Sequence, residues 1–217
     1  MSDKKKMNKA IVKVCKRLWA RNMLASADGN VSYRLSDQEI LITPSGVAKA
    51  FMDPDEMAVI DIEGNILKGE PSSERLMHLA VYRKAPQAKA VVHAHPPHAI
   101  AWSVSRPDLT ELPSECLSEV ILACGSIPLV PYATPSTEEM GQHLENFLPD
   151  YRVMILSRHG GLAWGESLEE AVNGMERLEH SAEILWLAQT MGELTSLPPS
   201  SVERLKTMRK EMGPRIL

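Results

Sequence analysis

Two histidines one residue apart are the strongest chemical feature of the sequence. His93 and His95 end an apolar, β-branched stretch, residues 88–95, that stops at two prolines, and such a stretch predicts a buried strand. Because successive side chains of a strand alternate between its faces, both imidazoles would point the same way and could bind one metal ion. The same spacing also suits two hydrogen-bonded core histidines, so it leaves the choice open.

A third histidine and a glutamate could complete such a site. His159 lies between a predicted strand and Gly160-Gly161, where the missing side chains would let a ligand approach the backbone. Alone, it would be an ordinary turn residue. Glu74 follows two serines at the start of a predicted helix, so it either complements the helix dipole or reaches a metal ion.

Three short polar segments could hold an anion. Ser72 and Ser73 precede the predicted helix, whose first backbone N–H groups are free to bind a phosphate. Asn30, beside Gly29, and the pair Ser45-Gly46 are turn residues by default. Donors next to glycine are also what an anion-binding backbone needs, but none of these segments identifies a site by itself.

Alternating helices and strands are predicted to position these residues. An amphipathic helix with apolar residues from Ile11 to Trp19 opens the chain, and the stretch around Asn30 is predicted as a turn. Serine capping boxes predict a helix from Ser136 to about residue 147 and another from Ser167 to about residue 186. The other predicted elements are strands at 39–42, 127–130, 154–156 and 162–164, a hairpin at 59–67, a helix at 73–83 and one short helix beyond 197.

The composition is that of an ordinary globular protein. Of the 217 residues, 44% are apolar and 24% are charged, and we expect one domain over 1–217 with a tail at 198–217. The 24 basic and 28 acidic residues give a net charge of -4, which excludes a global positive field for nucleic acid or an acidic membrane.

The expected location is the cytoplasm. The three cysteines lack CxxC spacing, which favours a reducing compartment over a disulfide framework. No export signal is recognisable, and no apolar run approaches the roughly 18 residues of a membrane-spanning helix. We therefore expect a soluble protein with neither a nucleic-acid nor a membrane partner.

Six motifs, taken in order along the chain, resemble the class II aldolase/adducin family. They are Gly29-Asn30-Val31-Ser32, Ile42-Thr43-Pro44-Ser45-Gly46, Pro71-Ser72-Ser73-Glu74, Val91-Val92-His93-Ala94-His95, Pro131-Tyr132-Ala133-Thr134 and His159-Gly160. The resemblance covers roughly residues 8–190, the core of the expected domain. It is nearest to the sugar-phosphate aldolases of the family, such as L-fuculose-1-phosphate aldolase.

This resemblance implies a fold, an assembly and a ligand set. The fold is α/β, with three layers (α/β/α) around a central mixed, largely antiparallel sheet, and the assembly is a homotetramer with active sites between subunits. Zinc would be bound by His93, His95 and His159, with Glu74 as a fourth ligand or as the catalytic carboxylate; manganese, iron or cobalt could occupy the same donors. The residues that would hold the substrate phosphate are Asn30, Ser45, Gly46, Ser72 and Ser73.

The implied activity is retro-aldol cleavage of a phosphorylated ketose to dihydroxyacetone phosphate and an aldehyde, with a divalent cation stabilising the enediolate. The family's fuculose-type aldolases complete their site with tyrosines, one of them from a neighbouring subunit, but residues 112–125 and 187–217 contain no tyrosine. Glu115 is the catalytic candidate that could replace the phenol, whereas Glu119 is expected to be a solvated helix residue.

Several alternatives to the aldolase remain. Three use the same scaffold: dehydration of methylthioribulose 1-phosphate, for which Glu115 would supply the base, 4-epimerisation of a pentulose 5-phosphate, and decarboxylation of a phosphorylated keto acid. A non-enzymatic, adducin-like interaction domain would have no use for the full metal set, so we disfavour it. In a last alternative the zinc is structural, and losing it would unfold the protein.

Overall fold

Eight strands form one sheet at the centre of the computed structural model, which describes residues 3–216. The strands are β1 (Asn30–Ser36), β2 (Glu39–Ile42), β3 (Ala58–Ile60), β4 (Ile66–Lys68), β5 (Ala90–Ala94), β6 (Leu129–Val130), β7 (Val153–Leu156) and β8 (Gly160–Gly165). Their order across the sheet is β4-β3-β2-β1-β5-β8-β7-β6. All neighbours are antiparallel except β6 and β7, which are parallel. The expected mixed, largely antiparallel sheet is confirmed.

Helices cover both faces of this sheet. They are α1 (Asp3–Ala20), α2 (Arg75–Lys84), α3 (Pro97–Ser105), α4 (Ser118–Cys124), α5 (Glu138–Glu145), α6 (Leu168–Met191) and α7 (Pro199–Met212). Successive strand residues alternate between two apolar cores. Val92 packs in the core shared with α1, α3 and α6, and Val91 packs in the core shared with α2 and α5. The expected three-layer α/β/α architecture is therefore confirmed.

The central strands turn polar groups toward α2. β1 pairs with β5 so that Asn30 lies opposite His93 and Ser32 lies opposite Val91. Asn30, Ser32 and His93 are buried, and they share the sheet face of Val91, while Val31 packs in the opposite core. The centre of this sheet face therefore consists of buried polar side chains.

Two local predictions are wrong. The stretch around Asn30, predicted as a turn, begins strand β1, because its polar residues pair with buried groups on α2 that the local sequence does not reveal. The helix predicted from a capping box at Ser136 begins at Glu138 instead. Its N-cap, Thr137, makes no side-chain cap hydrogen bond, and Ser136 has a positive φ of 66°.

Other helices of the structure are not predicted from the sequence, or are predicted to be shorter. The sequence patterns do not indicate α3, and they anticipate α4 only in the expectation that Glu119 is a helix residue. The short helix expected beyond 197 is the 14-residue α7. Arg209 of α7 donates to the carbonyl of Leu122 in α4 over 3.1 Å, so this part of the expected tail is packed on the domain. The predicted cap of α6 is confirmed, because the Ser167 hydroxyl accepts from the Glu170 N–H over 3.1 Å. Within residues 3–216, no helix has the length and apolar character that a membrane span requires.

Candidate metal and anion site

Three imidazoles converge at one end of the central strands. His93 is the fourth residue of β5, His95 follows that strand, and His159 lies in the turn between β7 and β8. The antiparallel pairing of β5 with β8 places Ala94 opposite Gly161, which brings the two segments together. The ring centroids are 4.8 to 5.3 Å apart, and one nitrogen of each ring lies within 4.8 Å of the others. The sequence prediction that these three residues form one cluster agrees with this geometry.

Two glycines permit this close approach. A Cβ on Gly160 would lie 2.6 Å from the carbonyl oxygen of Ala94 and 2.7 Å from Cε1 of His93, so any side chain there would push the strands apart. Gly29 has a φ of 69°, and a Cβ on it would lie 2.9 Å from the carbonyl oxygen of His93. The glycines thus make room for the neighbouring strand and its histidine ring.

Glu74 joins the histidine cluster. It is the N-cap residue of α2, but its side chain makes no cap hydrogen bond to that helix. Its Oε1 lies 3.0 Å from His159 Nε2, and its Oε2 lies 3.3 Å from His93 Nε2. Asn30 Nδ2 donates to the same Oε2 over 2.8 Å. One carboxylate therefore bridges two of the three histidines.

The surroundings of the cluster keep Glu74 ionised and His95 neutral. Burial raises the pKa of Glu74, but its contacts with His159 and His93 outweigh burial and hold that pKa well below the usual range. Burial, together with the neighbouring His93 and His159 rings, lowers the pKa of His95 to about 4. At neutral pH Glu74 is ionised, and His95 offers a lone pair.

The donor set fits a divalent cation. His93 Nδ1 lies 2.9 Å from the Gly161 carbonyl oxygen and must donate to it, so Nε2 of the neutral ring carries a lone pair. That Nε2 faces His95 Nε2 at 3.2 Å and Glu74 Oε2 at 3.3 Å. Acceptors at such distances need a positive charge among them, either a proton on the ring or a metal ion. His159 Nδ1 is also buried without a hydrogen-bond partner among the described residues. Imidazole and carboxylate donors are those that zinc and related cations prefer.

A cavity of about 370 Å³ opens beside this cluster. Glu74, His95 and His159 line one part of it, while His93 is fully buried behind them. All five residues expected to hold a phosphate also line the cavity: Asn30, Ser45, Gly46, Ser72 and Ser73. The structure thus brings together every predicted metal and phosphate residue.

The sequence reasoning missed three polar residues of the same cavity: Asp28, Lys49 and Ser136. Lys49 is only 3% exposed, and its ammonium donates to the carbonyls of Ala27 and Val47 over 2.7 and 2.8 Å. Asp28 Oδ2 lies 3.6 Å from His95 Nδ1, and the Ser136 hydroxyl donates to that of Ser73 over 3.0 Å. The only signal for Lys49 is its position three residues after the Ser45-Gly46 pair, in an otherwise apolar segment.

Glu115 lies outside this cavity within the chain. It belongs to a short helical turn, Ser114–Cys116, and its carboxylate is 47% exposed and 2.9 Å from the ammonium of Lys206. Both residues line a separate pocket with Arg209. The catalytic role predicted for Glu115 therefore has no support from the geometry of a single chain. Glu119 is an exposed residue of α4, as predicted.

Comparison with known proteins identifies the family of this chain. A family model described as Class II Aldolase and Adducin N-terminal domain matches residues 9–186. The chain is 34% identical over 197 residues to a 3-oxo-tetronate 4-phosphate decarboxylase of Escherichia coli (strain K12), covering 86% of this chain and 91% of that protein. It is 35% identical over 176 residues to an L-fuculose phosphate aldolase of Methanococcus vannielii, covering 81% and 93%.

Solved structures give the same result. YgbL from Escherichia coli, named as a candidate aldolase, epimerase or decarboxylase, superimposes with a TM-score of 0.84 at 30% identity over 94% of this chain and 100% of that one. An L-fuculose 1-phosphate aldolase superimposes with a TM-score of 0.84 at 29% identity, covering 97% and 98%. With the family model matching most of its length and enzymes among its similar relatives, the chain belongs to the class II aldolase/adducin family and is an enzyme.

Proposed function

We propose that this enzyme is a divalent-metal-dependent lyase that forms dihydroxyacetone phosphate, and that its main reaction is decarboxylation of a 3-oxo-tetronate 4-phosphate. The observation that carries the proposal is the single cavity that joins the Glu74 and histidine cluster to the five polar residues expected to bind phosphate. The similarity to the Escherichia coli decarboxylase supports the choice of substrate.

Decarboxylation and retro-aldol cleavage converge on one species. When the C1–C2 bond of the keto acid breaks, carbon dioxide leaves and the bonding electrons move into the C3 carbonyl. The resulting enediolate then takes one proton from solvent at C2 and becomes dihydroxyacetone phosphate. Cleavage of a ketose 1-phosphate between C3 and C4 leaves the same enediolate and releases an aldehyde. The two reactions differ only in the leaving fragment.

Each group of residues has a distinct task in this reaction. His93, His95 and His159 would hold the cation, and Glu74 is placed either to complete that ligand set or to act on protons. When bound, the cation would polarise the substrate carbonyl and stabilise negative charge on its oxygen. Glu74 is ionised and adjacent to the cavity, so it is placed to pass the solvent proton to C2.

The phosphate site sets the distance to the reacting bond. Ser45, Ser72 and Ser73 supply hydroxyl groups, and Asn30 and the backbone of Gly46 supply N–H groups, to the lining of the cavity. Anchoring the phosphate there would fix the reacting carbons beside Glu74, because the substrate is short and has few rotatable bonds.

The leaving fragment favours decarboxylation. Retro-aldol cleavage must remove a proton from the hydroxyl on the departing carbon, whereas carbon dioxide departs without a base. The tyrosines that the family resemblance led us to expect are absent from residues 112–125 and 187–217. Among the described residues, Glu74 and Asp28 are the only carboxylates that line the cavity. The described residues of the cavity therefore offer few bases for the release of an aldehyde, whereas the release of carbon dioxide needs none.

Retro-aldol cleavage is the second candidate. The 35% identity to the Methanococcus vannielii aldolase favours it, and Asp28, which is 50% exposed at the cavity, could serve as the base for the departing hydroxyl. Glu115 of a neighbouring subunit remains a second source of that base in the expected assembly.

One assay separates these reactions. The zinc-loaded full chain is incubated with 3-oxo-tetronate 4-phosphate and, separately, with L-fuculose 1-phosphate, and dihydroxyacetone phosphate is followed with glycerol-phosphate dehydrogenase. We expect product and carbon dioxide from the keto acid, with little product from the ketose. The reverse preference would establish the aldolase. No dihydroxyacetone phosphate from either substrate would contradict both. Mass analysis would then test for loss of water, and chromatography would test for an epimer, which has the same mass as the substrate.

The assembly, location and metal belong to the same proposal. We propose a homotetramer with zinc as the native metal, as the family resemblance implies, and a cytoplasmic location, as the cysteine usage indicates. Light scattering of the purified chain would measure its mass, and elemental analysis after purification without chelator would identify the metal. A monomer, or a metal other than zinc, would correct that part of the proposal.

A further inference from the structure

A buried chain of hydrogen bonds runs from the Glu74 carboxylate along α2. Asn30 Nδ2 donates to Glu74 Oε2 over 2.8 Å, and Asn30 Oδ1 is in a short hydrogen bond with His78 Nε2. His78 Nδ1 lies 2.7 Å from Ser32 Oγ, which lies 2.7 Å from the Tyr82 hydroxyl. His78, Ser32 and Tyr82 are at most 1% exposed, so water does not compete for these contacts.

The direction of each hydrogen bond follows from the Glu74 carboxylate, at which this series of hydrogen bonds ends. An ionised carboxylate can only accept, so the Asn30 amide must turn its NH₂ group to Glu74 and its carbonyl to His78. His78 must then carry its proton on Nε2, which leaves Nδ1 to accept from the Ser32 hydroxyl. The Ser32 oxygen in turn accepts from Tyr82. Every group has one possible role, and all donors point toward Glu74.

The surroundings of His78 favour this neutral form. Burial, and to a smaller extent the neighbouring His93, lowers the pKa of His78 to about 3, although Glu74 acts to raise it. A neutral ring with one proton is the form that can donate to Asn30 and accept from Ser32 at the same time.

We propose that His78 is a positioning residue for the metal site, acting through Asn30 to hold the Glu74 carboxylate between His93 and His159. The inference rests on the metal-dependent function proposed above. Without His78 the Asn30 amide could rotate and turn its carbonyl oxygen toward the carboxylate, and the two acceptors would repel. Residues that orient a ligand in this way typically alter metal affinity by about 10- to 100-fold.

The tautomer of His78 can be measured without metal or substrate. In the full chain with ¹⁵N-labelled histidine and excess chelator, we expect one ring protonated on Nε2 alone and unchanged between about pH 5 and 8. The His78→Gln variant assigns that signal by its disappearance. A His78 ring protonated on Nδ1, or on both nitrogens, would overturn the inference.

The effect on the metal site is measured by zinc titration against a chromogenic chelator. We expect His78→Leu to weaken zinc binding by about 10- to 100-fold. In His78→Gln an amide N–H can take the place of the Nε2–H, so zinc affinity should stay within about threefold of the wild type. Wild-type affinity in His78→Leu would overturn the inference.

A control variant separates positioning from general destabilisation. Trp102 donates its indole N–H to the Ala182 carbonyl over 3.0 Å in the opposite core, and Trp102→Phe removes that buried bond far from Glu74. We expect Trp102→Phe to lose stability but keep its zinc affinity, and an equal loss of affinity in both variants would contradict the role of His78. Because these readouts need no substrate, a failure to form dihydroxyacetone phosphate would count against the proposed reaction alone.

Discussion

Asn30 shows how one side chain can serve two parts of the site. The sequence resemblance assigns it to the phosphate, and the structure places it in the cavity lining and also in a hydrogen bond to Glu74. A primary amide has two N–H groups, so donation to the carboxylate leaves one for a bound anion. The two tasks are therefore compatible.

At the residue scale, His95 tests whether the metal is catalytic or structural. His95→Ala should weaken zinc affinity by more than about 100-fold, because it removes a ligand and not a supporting group. Its free energy of unfolding in chelator should change by less than about 1 kcal/mol, since the imidazole is partly exposed. Zinc titration and urea unfolding measure the two quantities.

His180→Ala is the matched control for this prediction, because His180 is exposed on α6. It should leave both zinc affinity and stability unchanged. If the wild type and His180→Ala were both unfolded in chelator and folded with zinc, the zinc site would be structural, and the catalytic proposal would be wrong.

At the element scale, Lys49 joins two loops around the cavity. Its ammonium donates to the Ala27 and Val47 carbonyls, and among the described residues that line the cavity it is the only lysine or arginine. Burial lowers the pKa of Lys49, while Cys15, Asp28 and Glu74 act in the opposite direction. A buried ammonium held only by carbonyl groups is well suited to an incoming anion.

Lys49→Met should therefore weaken the binding of inorganic phosphate by about tenfold and lower the free energy of unfolding by about 1 to 3 kcal/mol, because two carbonyls lose their donor. Calorimetric titration and urea unfolding measure these effects. Lys68→Met is the control, since Lys68 is exposed on β4 and should change neither quantity. Unchanged phosphate affinity in Lys49→Met would show that the residue only braces the loops.

A second element depends on a residue distant in the sequence. α3 follows directly after the histidine strand, and Glu179 of α6 accepts from the backbone N–H groups of His98 and Ala99 over 3.1 and 3.2 Å. The same carboxylate lies 2.8 Å from His98 Nδ1. Glu179 thus supplies the cap that the proline-rich start of α3 lacks.

Glu179→Ala should lower the free energy of unfolding by about 1 to 3 kcal/mol, because buried N–H groups would lose their acceptor. Urea unfolding in chelator measures it, with Glu183→Ala, one turn further along α6, as the control. Equal stabilities of the two variants would contradict the capping role of Glu179.

At the scale of the whole molecule, buried His78 couples stability to pH. Its pKa is lowered to about 3 in the fold from the ordinary histidine value of 6.5, so below about pH 6.5 the unfolded chain binds a proton that the folded chain does not. The free energy of unfolding therefore does not depend on His78 titration above that pH, and it falls on acidification below it by about 1.4 kcal/mol per pH unit.

In His78→Leu this proton uptake is absent. The slope of unfolding free energy against pH should therefore be smaller than in the wild type by about 1.4 kcal/mol per pH unit between about pH 6 and 4. Urea unfolding of both proteins in chelator, at several pH values, gives the two slopes. Equal slopes would show that His78 takes up its proton in the folded state.

The sequence predicts those parts of the molecule that depend on local patterns. The pair His93 and His95, the glycines after His159 and the serine cap of α6 all have local signatures, and the structure agrees with each. The same is true of the central strand β5, whose apolar run is continuous.

What the sequence does not predict depends on partners far along the chain. β1 carries polar residues such as Ser32 that are satisfied only by His78 and Tyr82 of α2. α3 is capped from α6, and the environment of Lys49 is formed by carbonyls of two loops. For the same reason, no local signal separates Glu115 from the residues that reach the cavity.

The pairing of Asn30 with His93 limits where this fold can accept changes in length. Because side chains alternate along each strand, adding or deleting one residue within β1 or β5 would exchange that strand's polar side chains for their apolar neighbours. A change in β1 would displace the amide that supports Glu74, and a change in β5 would displace the proposed cation ligand His93. The hairpin of β3 and β4 lies at the sheet edge, three strands from β5, and can lengthen or shorten without this effect. Variation in chain length among active proteins of this type should therefore collect at that edge.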